Sequence, residues 1–75
     1  MMNDRIEINS DIRFGKPVIR GTRVPVTRIL SEVAAGTPWD QIQSQYDVTA
    51  DDIKAAVQFA NELVAQSSFV AVAGG

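Results

Sequence analysis

The sequence predicts a mainly α domain: three helices, the last two helix-turn-helix-like, behind a short N-terminal β element. Three observations carry that expectation. Before Val26 the chain is rich in β-branched residues, prolines and glycines and is at its least helix-like in "GKPVIRGTRVPV", residues 15–26. From Val26 onward the apolar residues recur at three- and four-residue spacing, the period of a helix with one buried face. That pattern restarts twice, at "TPWD" and at "VTADDI", each time behind a residue that can cap a helix.

Each element follows from local chemistry. "RIEIN", residues 5–9, alternates polar and apolar residues and puts Ile6 and Ile8 on one face of a strand, with "NSD" as the turn after it. "PVI" and "VPV" flank Arg20, Gly21, Thr22 and Arg23. Pro17 and Pro25 each lack a ladder donor, so they belong at strand starts, edges or bulges, and the expected product is a small irregular hairpin.

Thr27 then reads as the N-cap of a first helix that buries Ile29, Leu30, Val33 and Ala34, with Gly36 ending it in the left-handed conformation. Thr37 reads as the next cap, Pro38 as the first helical residue and Asp40 as the acid three places past the cap. This second helix is short, with Trp39 and Ile42 turned inward and Tyr46 a further candidate. The third start is the strongest: Thr49 caps, Asp52 occupies the capping-box position and Val48 can staple against Ile53. Ile53, Ala56, Val57, Ala60, Leu63 and Val64 continue it at helical spacing over about three turns. "SSFVAVAGG", residues 67–75, reads as a tail, either frayed or added as a strand to a partner's sheet.

With 75 residues the chain is a single domain, residues 1–75, and folding at this size buries only ~60% of the unfolded chain's surface. Small size favours a homodimer. A composition of 45% hydrophobic and 21% charged residues belongs to a globular rather than a disordered chain. No apolar run approaches the ~20 residues of a membrane span, and "MMNDRIEINS" lacks the apolar centre of a secretory leader, so the expected location is the cytoplasm.

The absence of cysteine and histidine removes disulfides, thiol nucleophiles, most zinc sites and the commonest general base. No carboxylate pair is placed for acid-base work and no glycine loop for a phosphate. The expectation is a non-enzymatic protein with no metal and no cofactor.

Charge points to a partner instead. Six of the seven basic residues (Arg5, Arg13, Lys16, Arg20, Arg23, Arg28) precede Ile29, against three acids; from Ile29 onward Lys54 alone faces six. The front of the protein suits an anionic partner and the back does not. Arg20 and Arg23 bracket Gly21, where two guanidinium forks can grip carboxylates or phosphates, or can cap helix ends and pair with acids of the same chain. The candidate partner-binding residues are Lys16, Arg20, Thr22 and Arg23.

"WDQIQSQYDVTADDIKAAVQFA" resembles a helix-turn-helix, with Lys54, Gln58 and Asn61 as candidate DNA-binding residues on its second helix. Gln58 and Asn61 lie off the apolar stripe and could read adenine edges, but plain solvated surface is the commoner setting for such side chains. Asp51 and Asp52 suit the helix macrodipole yet repel phosphates at the same end, with only Lys54 to offset them.

Taken together, "GKPVIRGTRVPV", a helix ending at Gly36 and the run from "TPWD" to "QFA" resemble the domain of unknown function 433 family over about residues 5–65. Lys16, Pro17, Arg20, Gly21, Thr22, Arg23, Pro25 and Val26 match its motif. The resemblance implies a three-helix, helix-turn-helix-like domain with a short β start. It also implies an antitoxin, paired with a PIN-like ribonuclease toxin and acting on its own operator DNA. A dimeric helix-turn-helix regulator and a structural dimerisation module are the competing readings.

Overall fold

The computed structural model describes residues 4–11 and 15–66. Two strands are followed by three helices: β1 (Ile6–Glu7), β2 (Val18–Ile19), α1 (Val26–Ala34), α2 (Trp39–Tyr46) and α3 (Ala50–Gln66). Arg13 and the tail at residues 67–75 lie outside the described residues. No helix among those described is long and apolar enough to cross a membrane.

The two strands pair antiparallel, Ile6 opposite Ile19 and Glu7 opposite Val18. The strand at "RIEIN" is shorter than the alternation predicts: Ile6 is buried, but Ile8 is 62% exposed because pairing stops at Glu7. The turn after it is present, with the Asp11 N–H donating to Asn9 Oδ1 at 2.9 Å. On its other side β2 forms the expected irregular hairpin. Val18 bridges Pro25, flanked by Ile19 N–H donating to the Val24 carbonyl (2.9 Å) and Val26 N–H donating to the Pro17 carbonyl (3.0 Å). Pro25 thus occupies a ladder position that asks no donor of it.

The three helices bury one cluster with the strands: Ile6, Ile19, Val26, Ile29, Ile42, Val48, Ile53, Ala55 and Ala56. The α1 and α2 helices both pack on α3, whose first turns also meet β1. Helix α1 starts one residue before the predicted cap. Pro25 occupies the cap with extended backbone and Thr27 makes no cap, since the hairpin delivers the chain already turned and the Pro25 carbonyl accepts from Arg28 N–H at 3.0 Å. Ile29 is buried as expected; Leu30 and Val33 are half-buried and Ala34 is exposed, so the packed face is narrower than the spacing suggested.

Gly36 ends α1 at φ +81°. Its N–H donates to the Val33 carbonyl and the Thr37 N–H to the Glu32 carbonyl, both at 3.0 Å, the paired bonds of a Schellman motif. Those bonds change the start of α2. Pro38, not Thr37, is its cap, and the Thr37 hydroxyl donates to Glu32 Oε1 at 2.8 Å instead. Trp39 is not turned inward. At the outer edge of a two-turn helix it stays 37% exposed while Ile42 takes the core position.

Between α2 and α3 the chain turns in three residues, with Asp47 left-handed at φ 56°, a conformation that a short polar side chain tolerates. The capping box forms as predicted: Asp52 N–H donates to Thr49 Oγ1 at 3.1 Å and Thr49 N–H to Asp52 Oδ2 at 3.0 Å. Val48 and Ile53 enter the same buried cluster on either side of it. The helix runs 17 residues, longer than the core beneath it. Ile53, Ala55 and Ala56 are buried, whereas Val57, Leu63 and Val64 stand 40%, 50% and 60% exposed. Their spacing is helical, but the buried cluster ends at Ala56, and beyond it these side chains are only partly covered.

Candidate functional site

The hairpin corner is built from its own side chains. Thr22 N–H donates to the Ile19 carbonyl at 3.0 Å across a turn whose third residue, Gly21, has φ +80°. Thr22 Oγ1 donates to that same carbonyl at 2.7 Å and accepts from Val24 N–H at 3.0 Å. The Thr22 hydroxyl is therefore occupied inside the corner and holds its shape.

Arg20 is anchored in a way neither sequence alternative named. Its N–H donates to the Arg5 carbonyl at 2.7 Å and its Nε to the Asp4 carbonyl, tying the hairpin to the β1 edge through backbone. Lys16 is exposed next to Pro17, before β2.

Arg23 has a different setting. With Val24, Pro25, Arg28 and Tyr46 it lines an open cleft of about 380 Å³ between the hairpin corner, α1 and the end of α2. Arg28 comes from the first turn of α1, which contains no acidic residue and whose cap makes no side-chain hydrogen bond. Four residues on, the spacing at which an arginine and an acid can pair along a helix, stands Glu32. Its carboxylate lies within the electrostatic reach of Arg28 and accepts two hydrogen bonds, Oε2 from the Tyr46 hydroxyl at 2.6 Å and Oε1 from Thr37.

These two hydrogen bonds, Tyr46 first and Thr37 second, hold the Glu32 carboxyl below the usual carboxylate range against a smaller opposing effect of burial, and the Arg28 charge works in the same direction. The Glu32 carboxylate in turn pushes the Tyr46 phenol up, burial adds to that, and the neighbouring Arg28 partly offsets it. Near neutral pH the Tyr46 phenol is therefore protonated, with its proton directed at the Glu32 carboxylate.

The second candidate set also comes together. Lys54, Gln58 and Asn61 line one groove of about 430 Å³ with Trp39 and Val57, between the start of α2 and the outer face of α3. It is a mostly apolar groove edged by one ammonium and two carboxamides. The start of α3 is less acidic in effect than its sequence suggests. Arg5, from the shoulder of β1, reaches Asp52 Oδ1 at 3.1 Å and Asp51 Oδ2 at 3.7 Å, so Lys54 is not the only cation there. Burial alone raises the Asp52 carboxyl, but the Thr49 N–H, the Arg5 guanidinium and the Thr49 hydroxyl together hold it below its ordinary value.

The model of one protein family, described as protein of unknown function DUF433, matches residues 6–60. The chain belongs to that family. In this DUF433 chain the match runs from β1 into α3 and takes in the hairpin corner, the arginine cleft and most of the Trp39 groove; Asn61 falls one residue beyond it. No curated protein and no solved structure matches the chain.

Residue reasoning passed over Arg28, Tyr46 and Trp39 as site residues. Arg28 and Glu32 carry a readable signal, their four-residue spacing on one helix. Tyr46 has none, since only the packing of α2 against α1 brings it there. The hydrophobicity of Trp39 points it inward but does not say how much of its ring the core can take.

Proposed function

We propose that this protein is a non-enzymatic, antitoxin-like partner that acts in the cytoplasm by binding and inhibiting a PIN-like ribonuclease. The observation that supports this most is the arginine cleft. Arg23 and Arg28 line one cleft on the cationic front of a chain whose net charge is -2, where positive charge favours an acidic protein surface. Seating the hairpin corner over the acidic site of a nuclease neutralises the groups that site depends on. The test is co-expression with the nuclease of the neighbouring gene, followed by pull-down and a growth-rescue assay. Co-purification with restored growth is the expected result; growth arrest with no complex refutes the proposal.

A second reading has its own observation. Lys54, Gln58 and Asn61 share one groove on the second helix of a helix-turn-helix-like pair, the placement that a dimeric regulator needs for duplex contacts. A mobility-shift titration with the upstream DNA at several salt concentrations separates it from the first. Phosphate contacts make affinity fall steeply with salt, and lack of binding at low salt excludes it.

A further inference from the structure

We infer that the outer face of α3 is the interface between two copies of this chain, packed antiparallel through Lys54, Val57, Asn61 and Val64 with Trp39 at its side. This goes beyond the proposed function and is independent of the nuclease reading.

Spacing carries the first step. The four α3 residues recur at intervals of three, four and three, the repeat by which one helix lays a seam against another. They stand about a quarter turn round the helix from Ile53 and Ala56, which face the core, so α3 bears two seams and the fold of one chain uses only the first. Val57 and Val64 are exposed along the second seam, and Trp39 of α2 widens its apolar strip.

The polar groups of this face are open. Among the described residues no ion pair or side-chain hydrogen bond engages Lys54, Gln58 or Asn61, in contrast to Arg5, Arg20 and Glu32. Each carboxamide carries both donor and acceptor atoms, so two copies of the same face supply both halves of an amide pair.

Charge decides the orientation. Parallel packing sets Lys54 against the partner's Lys54. Reversing one copy moves Lys54 to the far end of the partner's α3, where the negative pole of the macrodipole favours a cation. The last turn there has no basic residue, and Glu62 is the one charged residue from Ala55 to the end of the sequence. A net charge of -2 per chain leaves little long-range repulsion between copies.

Size sets the strength. From Lys54 to Gln66 the seam is ~20 Å long and about one helix wide. Even with Trp39 added it is small against the ~800 Å² that each partner of a standard interface buries, so the dimer dissociates in the micromolar range. Lys54 and Asn61 within the seam lower affinity while fixing its register. The same contact covers Lys54, Gln58 and Asn61, so a dimer of this form withdraws them from duplex DNA.

The test is sedimentation equilibrium of the full chain from micromolar to millimolar concentration, with circular dichroism melting of dilute samples as the check on folding. Expected is a reversible equilibrium between monomer and dimer. Val57→Glu should weaken it at least tenfold and leave the dilute melting curve in place, since Val57 lies outside the buried cluster. Lys54→Glu should weaken it as well, and adding Glu62→Lys to that chain should restore it, because the swap rebuilds the pair with its signs exchanged. That restoration is a gain which unfolding cannot produce. A monomer at every concentration overturns the interface, as does a dimer that Val57→Glu leaves unaltered. A dimer weakened by Lys54→Glu and not restored by the charge swap overturns the antiparallel arrangement.

Discussion

Replacing Asp52 with alanine removes two contacts at the start of α3: the bond its carboxylate accepts from Thr49 N–H at 3.0 Å and the pair with Arg5 at 3.1 Å. A lost N-terminal cap contact costs about 1 kcal/mol. The ion pair adds roughly 0.5 kcal/mol, kept low because the Arg5 side chain is half exposed. Loss of an acid from the first turn adds another ~0.5 kcal/mol through the macrodipole. The sum, about 2 kcal/mol, lowers the melting temperature of a domain this size by roughly 8–16 °C. Thermal unfolding followed by far-ultraviolet circular dichroism measures it, and a double-mutant cycle with Arg5→Ala isolates the pair. The sign with pH is fixed as well. The folded state holds the Asp52 carboxyl below its ordinary value, so its stabilisation is complete above the unfolded carboxyl's pKa of about 3.9 and is lost as pH falls through the lower folded value. The Asp52→Ala protein should therefore lose less stability than the parent on acidification. A melting temperature within about 2 °C of the parent, or an acid limb of unchanged steepness, refutes the reasoning.

Other substitutions probe other links. Ile29→Ala, at a fully buried position, should cost about 3 kcal/mol in urea unfolding, a large part of the stability of a small domain. Gly36→Ala should cost about 1 kcal/mol purely through the left-handed backbone, because a methyl group there meets no atom within 4 Å. Tyr46→Phe should return the Glu32 carboxyl toward its ordinary titration, read by carboxyl-carbon NMR, and Glu32→Gln should bring the phenol down, read by ultraviolet absorbance. In the parent the raised phenol contributes stability below its unfolded pKa of about 10 that disappears as pH rises through the folded value. Trp39→Ala should cost about 2 kcal/mol, less than a fully buried tryptophan because 37% of the residue is exposed, while abolishing any binding that uses the α3 groove.

The parts of the fold that sequence made legible are those decided within a few residues. The capping box of Thr49 and Asp52, the left-handed Gly36 and the two prolines of the hairpin each depend on local backbone chemistry, and all stand where that chemistry puts them. Errors arose where local options compete. Thr37 can cap α2 or bond Glu32, and the Schellman turn at Gly36 gives the second. Periodicity marks Leu63 and Val64 as apolar-faced but carries no information on whether an element lies opposite. Site residues divide in the same way. Arg20 and Arg23 look equivalent around Gly21, yet one is drawn to the Asp4 carbonyl and the other lines the cleft, a distinction made by strand pairing alone. Arg5 clamps an acid 47 residues away, beyond any local pattern.

The length of α3 relative to its core makes one helix two thermodynamic units. Its first turns are held by buried Ile53, Ala55 and Ala56, so their amides exchange with solvent only when the whole domain opens. The turns holding Leu63 and Val64 have half or more of those side chains exposed, so burial holds them less than it holds the first turns. Amide exchange should accordingly accelerate along α3 from residue 53 to residue 66, a gradient rather than a single protected block. Whatever covers those two side chains in a complex slows the outer amides first, so the helix itself reports occupancy through proton exchange before any change in its average shape.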